Sequence, residues 1–330
     1  MQKTYIIAEM ACSHDGNSEL AKKIIDGAGK AGADAIQFQI WSARDLLPPY
    51  HDQFEAHLDL EMPREDWAAL AQYAREQHGL DVVACVYEAG SLQFAREIGA
   101  DALKIHTSDL SNKPFLRLAA ATKLRTDLSI GASTLDEIQN ALTIIREVHP
   151  SEIWLMYGIQ NFPTPPEAIR LEYMMSLGRM FGLKVGYQDH SAGGSDEAFW
   201  LPAAALGMGV HTLEKHITHD RAKKGYDHQA ALNPDEFADF VRMVRVLDQA
   251  KGTGEPQPFS PDEVKYRRYS KKRVLAARDL PKGHAITEND LLFMRLDGDT
   301  ITPEQAQEID GKIVTRDVKK YEAITSDLLG

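Results

Sequence analysis

Two histidines frame the chemistry available to this sequence. His190 closes Gly186-Tyr187-Gln188-Asp189-His190 and His216 closes Glu214-Lys215-His216, each at the end of an apolar run. Two imidazoles converging on one point suit a divalent metal such as Mn, Fe or Zn and leave positions for water and substrate. They could equally be hydrogen-bonding residues on a rim. Asp189 and Glu214 stand where they could orient the rings as acceptors. Lys104 offers an ammonium to a phosphate or carboxylate, or a partner to Asp101 or Asp109. Thr107 and Ser129 add hydroxyl donors. Glu9 and Asp109 are carboxylates of the type used in general acid–base catalysis, or salt-bridge partners. Cys12 and Cys85 stand next to no obvious base and read as packing residues.

Such groups work only if the chain brings them together, and the hydrophobic pattern says how. Short β-prone apolar runs occur at 5–8, 35–39, 82–86, 102–105, 127–130, 153–157, 184–187 and 210–213. Amphipathic stretches between them predict helices at 18–31, 64–77, 91–98, 134–148, 166–181 and 195–206. Thr134 followed by Asp136 and Glu137 is a capped helix start, and Pro166 suits a first helical turn. The runs are nearly continuous in apolar character, as expected of parallel strands covered on both faces. Eight strand–helix repeats point to an α/β fold of the (β/α)8 TIM-barrel type, roughly 250 residues long. An open doubly wound sheet is the rival, and the lack of a glycine-rich phosphate loop after the first strand weighs against its nucleotide-binding form. In a barrel the residues named above all fall at the C-terminal strand ends, where active sites sit.

The 330 residues are 43% hydrophobic and 26% charged, with a net charge of −12. That composition excludes a disordered or fibrous chain. The negative field argues against nucleic acid as a partner. Two cysteines make no disulfide framework. The apolar run behind Met1 is stopped at Glu9, so neither a signal peptide nor a membrane span is expected, and the chain reads as cytoplasmic. The Gly/Pro-rich stretch 251–258 reads as a linker. The expected division is a barrel over 1–252, a linker over 253–268 and a small, mostly-β domain over 269–330. About 60 residues give such a domain a marginal core, which would need to dock on something. The basic run 265–273, six cations in nine residues, reads as a solvated segment.

Assembled in order, these motifs resemble the sialic acid synthase (N-acetylneuraminate synthase) family. The resemblance rests on Ile6-Ile7-Ala8-Glu9, Ser13–Gly16, Gly32–Ala35, Phe38-Gln39, Lys104-Ile105, Ser129–Ile138, Phe162–Glu167, Gly186–His190, Glu214–Thr218 and Asp227-His228. The tail, with Ala276–Gly283 and Arg295, resembles the family's antifreeze-like (SAF) domain. The resemblance implies an enzyme that condenses phosphoenolpyruvate (PEP) with an N-acetylated amino-sugar aldehyde, giving a nonulosonic acid and phosphate. It implies a divalent metal, Mn2+ or Mg2+, on His190 and His216, and Glu9 and Asp109 as acid–base residues. Lys104, Thr107 and Ser129 match PEP contacts. Gln39, Phe162, Asp227 and Arg295 match the acceptor side, with Arg295 supplied by the partner of a domain-swapped homodimer. Gln37, Cys85, Gln160 and Gln188 stand where the family usually has Lys, Thr, Asn and Ser, Phe162 replaces a Tyr, and Asp109 stands for a Glu. Those departures keep open a member with a different donor, or a non-catalytic sugar-binding protein.

Overall fold

The computed structural model describes residues 3–298 and 300–330. Eight strands close a barrel in sequence order, every neighbouring pair parallel: β1 (Tyr5–Glu9), β2 (Ala35–Ile40), β3 (Asp81–Val86), β4 (Ala102–Ile105), β5 (Arg125–Ser129), β6 (Ile153–Tyr157), β7 (Lys184–Asp189) and β8 (Thr212–His216). β8 pairs back onto β1, with Ile7 opposite Glu214 and Glu9 opposite His216.

The two-residue period of the strands separates two cores. Ile6, Ala8, Ile36, Phe38, Val82 and Ala84 face outward and pack with helix residues such as Ile24, Ile25, Trp67 and Leu70. Residues of the other parity, Ile7, Ala35, Val83, Ala102, Trp154 and Met156, pack against one another inside the barrel. Below the strand ends Arg125 stacks on Trp154 at 3.9 Å and grips Asp127 through two hydrogen bonds of 2.9 and 3.0 Å. Tyr5 meets the same indole edge-on at 5.3 Å, so aromatic and aliphatic side chains fill the lower end.

The helices follow their local signals. Asn17 caps Ser18–Ala31 through its side chain, and Gly32 ends it in the left-handed region. Thr134 and Glu137 form the expected reciprocal capping box of Leu135–Val148. The helix expected over 166–181 is broken: Pro166–Ile169 and Leu171–Phe181 meet at Arg170, whose φ of 55° interrupts the helical hydrogen bonds. The eighth strand lies two residues later than its apolar run suggested, so Glu214 and His216 are on the strand itself.

The chain divides into two compact units, Met1–Thr253 and Gly254–Gly330. The second begins with an exposed helix, Pro261–Ser270, capped by Ser260 and Glu263 inside the stretch expected to be a linker. Its strands β9 (Lys272–Ala276) and β10 (Leu291–Arg295) pair antiparallel over a core of residues such as Val274, Ile286, Val314 and Ile324. Buried Asp290 accepts hydrogen bonds from Arg278, His284 and Thr287 at 2.6–3.0 Å, tying the turn before β10 to its surroundings.

Candidate active site

A cavity of about 250 Å3 opens at the C-terminal ends of the barrel strands. Strand alternation explains its lining. Gln37 and Gln39, Cys85 and Tyr87, Lys104 and His106, Gln188 and His190, and Glu214 and His216 are pairs two residues apart, so each pair faces inward together. Glu9 comes from β1, and Gln160, Phe162 and Asp227 from the loops after β6 and β8.

The ionisable groups are strongly coupled by their burial. Lys104 Nζ donates to Glu214 Oε2 at 2.5 Å, both side chains almost fully buried. Burial alone would lower the lysine's pKa; the Glu214 carboxylate outweighs it and holds the ammonium above its ordinary range. Gln188 Nε2 donates to Glu214 Oε1 at 3.1 Å, and Ser129 Oγ donates to Gln188 Oε1 at 3.1 Å. Glu9 Oε1 accepts from Ala11 N at 2.7 Å and from Gln39 Nε2 at 3.1 Å, and Tyr87 donates to Gln39 Oε1 at 3.0 Å. Burial, then the nearby Glu214 charge, push the Glu9 carboxyl well above the usual carboxylate range, with Lys104 opposing. Glu9 is therefore a candidate proton carrier. Its Oε2, Gln37 Oε1 and His216 Nδ1 are buried with no partner in the protein.

His190 and His216 come together, with ring centroids 5.3 Å apart, and Phe162 packs on His190 at 4.2 Å. His190 Nδ1 lies 2.7 Å from the Ile159 carbonyl, which can only accept, so Nδ1 carries the proton and Nε2 keeps its lone pair. Burial lowers the pKa of both rings, and His216 also feels His190 and Lys215. Neutral imidazoles with an unpaired nitrogen are the form that ligates a metal, so the residues present fit a divalent ion. Among the described residues no three His, Cys, Asp or Glu side chains are gathered as a ligand set. A metal here would take two protein nitrogens and share its other positions with water and substrate.

Several expected residues sit elsewhere. Asp109 is in a short 3-10 turn, accepting from Asn112 at 2.9 Å and Ser108 at 3.2 Å, and is not among the residues lining the cavity. Thr107 donates to the Gly131 carbonyl, and Ser129 stands behind Gln188; neither lines the cavity. Asp189 orients no imidazole: it faces outward and accepts from Tyr187, Ser191 and Lys215, the last at 2.6 Å. Glu214 likewise holds Lys104 rather than a ring, which also replaces the Asp101 and Asp109 pairings considered for that lysine. Arg295 ends β10 in the second unit, exposed. Tyr87 is the cavity residue that sequence reasoning missed, although it lies two positions from Cys85, and Glu214 was expected beside a ring rather than on Lys104. Asp227 adopts φ 63°, a conformation that aspartate tolerates, and its Oδ2 accepts from Cys12 N at 3.3 Å.

Comparisons with known proteins agree with this architecture. The NeuB family profile matches residues 24–256, and the SAF domain profile matches residues 273–329. The chain is 30% identical, over 93% of its length and 89% of the relative's, to an N,N'-diacetyllegionaminic acid synthase of Legionella pneumophila. It is 27% identical to the human N-acetylneuraminate-9-phosphate synthase, over 98% of this chain and 92% of that one. Among solved structures, an N-acetylneuraminic acid (sialic acid) synthetase from Leptospira borgpetersenii serovar Hardjo-bovis superimposes with a TM-score of 0.73. That match has 27% identity and covers 80% of this chain and 91% of that one. A closed eight-stranded barrel, a polar cavity at its C-terminal end and a SAF domain thus coincide in one sequence, and the chain belongs to the NeuB family, as an enzyme of the sialic acid synthase type.

Proposed function

We propose that this protein condenses PEP with an N-acetylated amino-sugar aldehyde, giving a nonulosonic acid and phosphate. The observation that carries the reading is the meeting, in one cavity, of two neutral imidazoles, the Lys104 ammonium and the Glu9 carboxyl with its unpartnered Oε2. Lys104 attracts the anionic donor. Gln39, Phe162 and Asp227, around the opening, take the acceptor. A C–C bond forms between the donor's enol carbon and the aldehyde carbon, whose oxygen takes up a proton; Glu9, whose pKa burial raises, would give it. Water then adds at the donor's C2 and gives its proton to the Glu9 carboxylate, and the C–O bond to phosphate breaks, leaving a C2 ketone and phosphate. His190 and His216 would hold the divalent metal, Mn2+ or Mg2+, which when bound polarises a carbonyl as a Lewis acid. Ser129 bears on the site through Gln188, whereas Thr107, expected as a PEP contact, and Asp109, expected as an acid–base residue, bond to Gly131, Asn112 and Ser108 and carry no step of this proposal.

The assembly belongs to the same reading: a barrel over 1–252, a connector over 253–268 and a SAF domain over 269–330, in a cytoplasmic homodimer where Arg295 of the partner subunit completes the site. No helix among the described residues is long and apolar enough to cross a membrane.

The test is phosphate release from PEP by the Mn2+-loaded protein with a panel of N-acetylated hexoses. Release with at least one sugar is expected; none with any, from folded and metal-loaded protein, overturns the donor assignment. A second reading, sugar binding without condensation, draws support from the cavity's charge. Lys104 is the one Lys or Arg among its described lining residues, it is already paired, and Gln37, in the same lining, is neutral. Calorimetry separates the two, because sugar binding without any PEP binding favours the second.

A further inference from the structure

The polar groups of the cavity differ in how far the protein satisfies them. On the β8–β1–β2 wall His216, Glu9 and Gln37 are register neighbours, and each carries a buried polar atom with no partner. Two residues before His216 on β8, Glu214 instead belongs to a hydrogen-bonded chain that draws in β7, β5 and β4. Ser129 Oγ donates to Gln188 Oε1, Gln188 Nε2 donates to Glu214 Oε1, and Lys104 Nζ donates to Glu214 Oε2, at 3.1, 3.1 and 2.5 Å. All four residues are buried, and Gln188 lines the cavity whereas Ser129 does not.

The direction of this chain is fixed by chemistry. A carboxylate only accepts, so the carboxamide must present Nε2 to Glu214, which leaves Oε1 for the serine hydroxyl. Flipping the amide would set two acceptors against each other in a buried site. Without that carboxamide, Glu214 would be held on the ammonium side alone and its carboxylate would be free to turn. Lys104, with four rotatable bonds in its stem, would lose the fixed acceptor that aims it.

We infer that Gln188 is a positioning residue for Lys104, acting through Glu214, and that Ser129 serves the cavity by orienting Gln188 rather than by touching a ligand. The placement of the cavity's cation then depends on a neutral side chain on β7.

Pulse acetylation of the full-length, ligand-free protein with acetic anhydride, read at Lys104 by mass spectrometry, tests this without any catalytic assay. Gln188→Leu keeps the side chain's bulk and removes both hydrogen bonds; Lys104 should label about tenfold faster, as befits the loss of a hydrogen bond to a charged group. Ser129→Ala should give a smaller increase, about threefold. Ser129→Thr, which keeps the hydroxyl, should restore the wild-type rate. The double variant Ser129→Ala/Gln188→Leu should label no more than about twofold faster than Gln188→Leu alone, since both changes break one chain. Unchanged labelling in both single variants, or effects that multiply in the double, overturns the proposal. Should Gln188→Leu fail to fold, the Ser129→Ala and Ser129→Thr pair decides. A kinetic arm rests on the proposed function: KM for PEP should rise in Gln188→Leu with kcat changed less. If the wild-type enzyme does not turn over PEP, that reading fails and the labelling result still stands or falls alone.

Discussion

Burial in this barrel decides the protonation state of single side chains, and that has measurable consequences. His14 is fully buried and edge-on to Trp67, its Nδ1 accepting from Gly16 N at 3.0 Å. Burial lowers its pKa from 6.5 to about 4. The unfolded chain takes up a proton below about pH 6.5 that the folded chain refuses until about pH 4. The stability this residue confers is therefore complete above pH 6.5 and disappears as pH falls through 4. The shift corresponds to something on the order of 3 kcal/mol. His14→Asn, which keeps an acceptor for Gly16, should flatten the acid limb of stability between those two pH values by about that amount. Urea midpoints at a series of pH values would show it, and an unaltered limb would contradict the assignment. His190 and His216 make the second prediction at this scale. His190→Ala or His216→Ala should strip most bound Mn2+, read by elemental analysis after desalting, because two nitrogens leave little binding when one is lost. Equal metal content in wild type and both variants would remove the metal site from the mechanism. At this scale the sequence was legible where spacing is local: Gln37 with Gln39, or Lys104 with His106, share a face by the two-residue period. Cross-barrel partners were not legible. Lys104 and Glu214 are 110 positions apart, and only closure of the barrel selects that pair over Asp101 or Asp109. Asp109 turned aside because Asn112 and Ser108, its neighbours in sequence, satisfy its carboxylate locally.

At the scale of elements, the barrel strands announced themselves because parallel strands covered on both sides must be apolar throughout. The boundaries slipped where function placed polar residues on the strands. Glu214-Lys215-His216 and Gln188-Asp189 lengthen β8 and β7 past their apolar runs, since inward polar groups line a cavity and outward Lys215 and Asp189 neutralise each other. The break at Arg170 was equally hidden, because its neighbours on both sides have good helical patterns. In the small unit the turn before β10 depends on one carboxylate. Asp290 is fully buried, and its hydrogen bonds to Arg278, His284 and Thr287 hold its pKa well below the carboxylate range against the opposing effect of burial. Asp290→Asn should lower the stability of this unit by about 2–3 kcal/mol, the worth of a hydrogen bond to a charged group. In the full-length protein, heteronuclear NMR on heating should show the 254–330 resonances melting earlier and the barrel resonances unmoved. A simultaneous loss of both sets would mean that Asp290 is not a local tie.

On the scale of the whole molecule, the net charge of −12 is matched by a cavity short of cations: Lys104 is paired with Glu214, so in the proposed reaction an anionic donor would rely on a bound metal as well as on that ammonium. The proposed dimer adds a further cation. Arg295→Ala should depress activity while leaving the barrel folded. Mixing an Arg295→Ala chain with a Lys104→Met chain should restore activity in hybrid dimers, because one of the two sites in each hybrid would carry both intact residues. Mixtures no more active than their parents, despite demonstrated exchange of chains, would exclude a shared site.

The packed floor of the barrel has a kinetic corollary. Trp154, Arg125 and Asp127 pack the lower end, and Lys104, buried on β4, lies deeper in the cavity than the half-buried loop residues Phe162 and Asp227. On the proposed function, a donor seated on Lys104 would have to arrive before the acceptor that sits above it. In the proposed reaction the donor would then bind first: an unreactive acceptor analogue should be an uncompetitive inhibitor against PEP, while a competitive pattern would contradict that order.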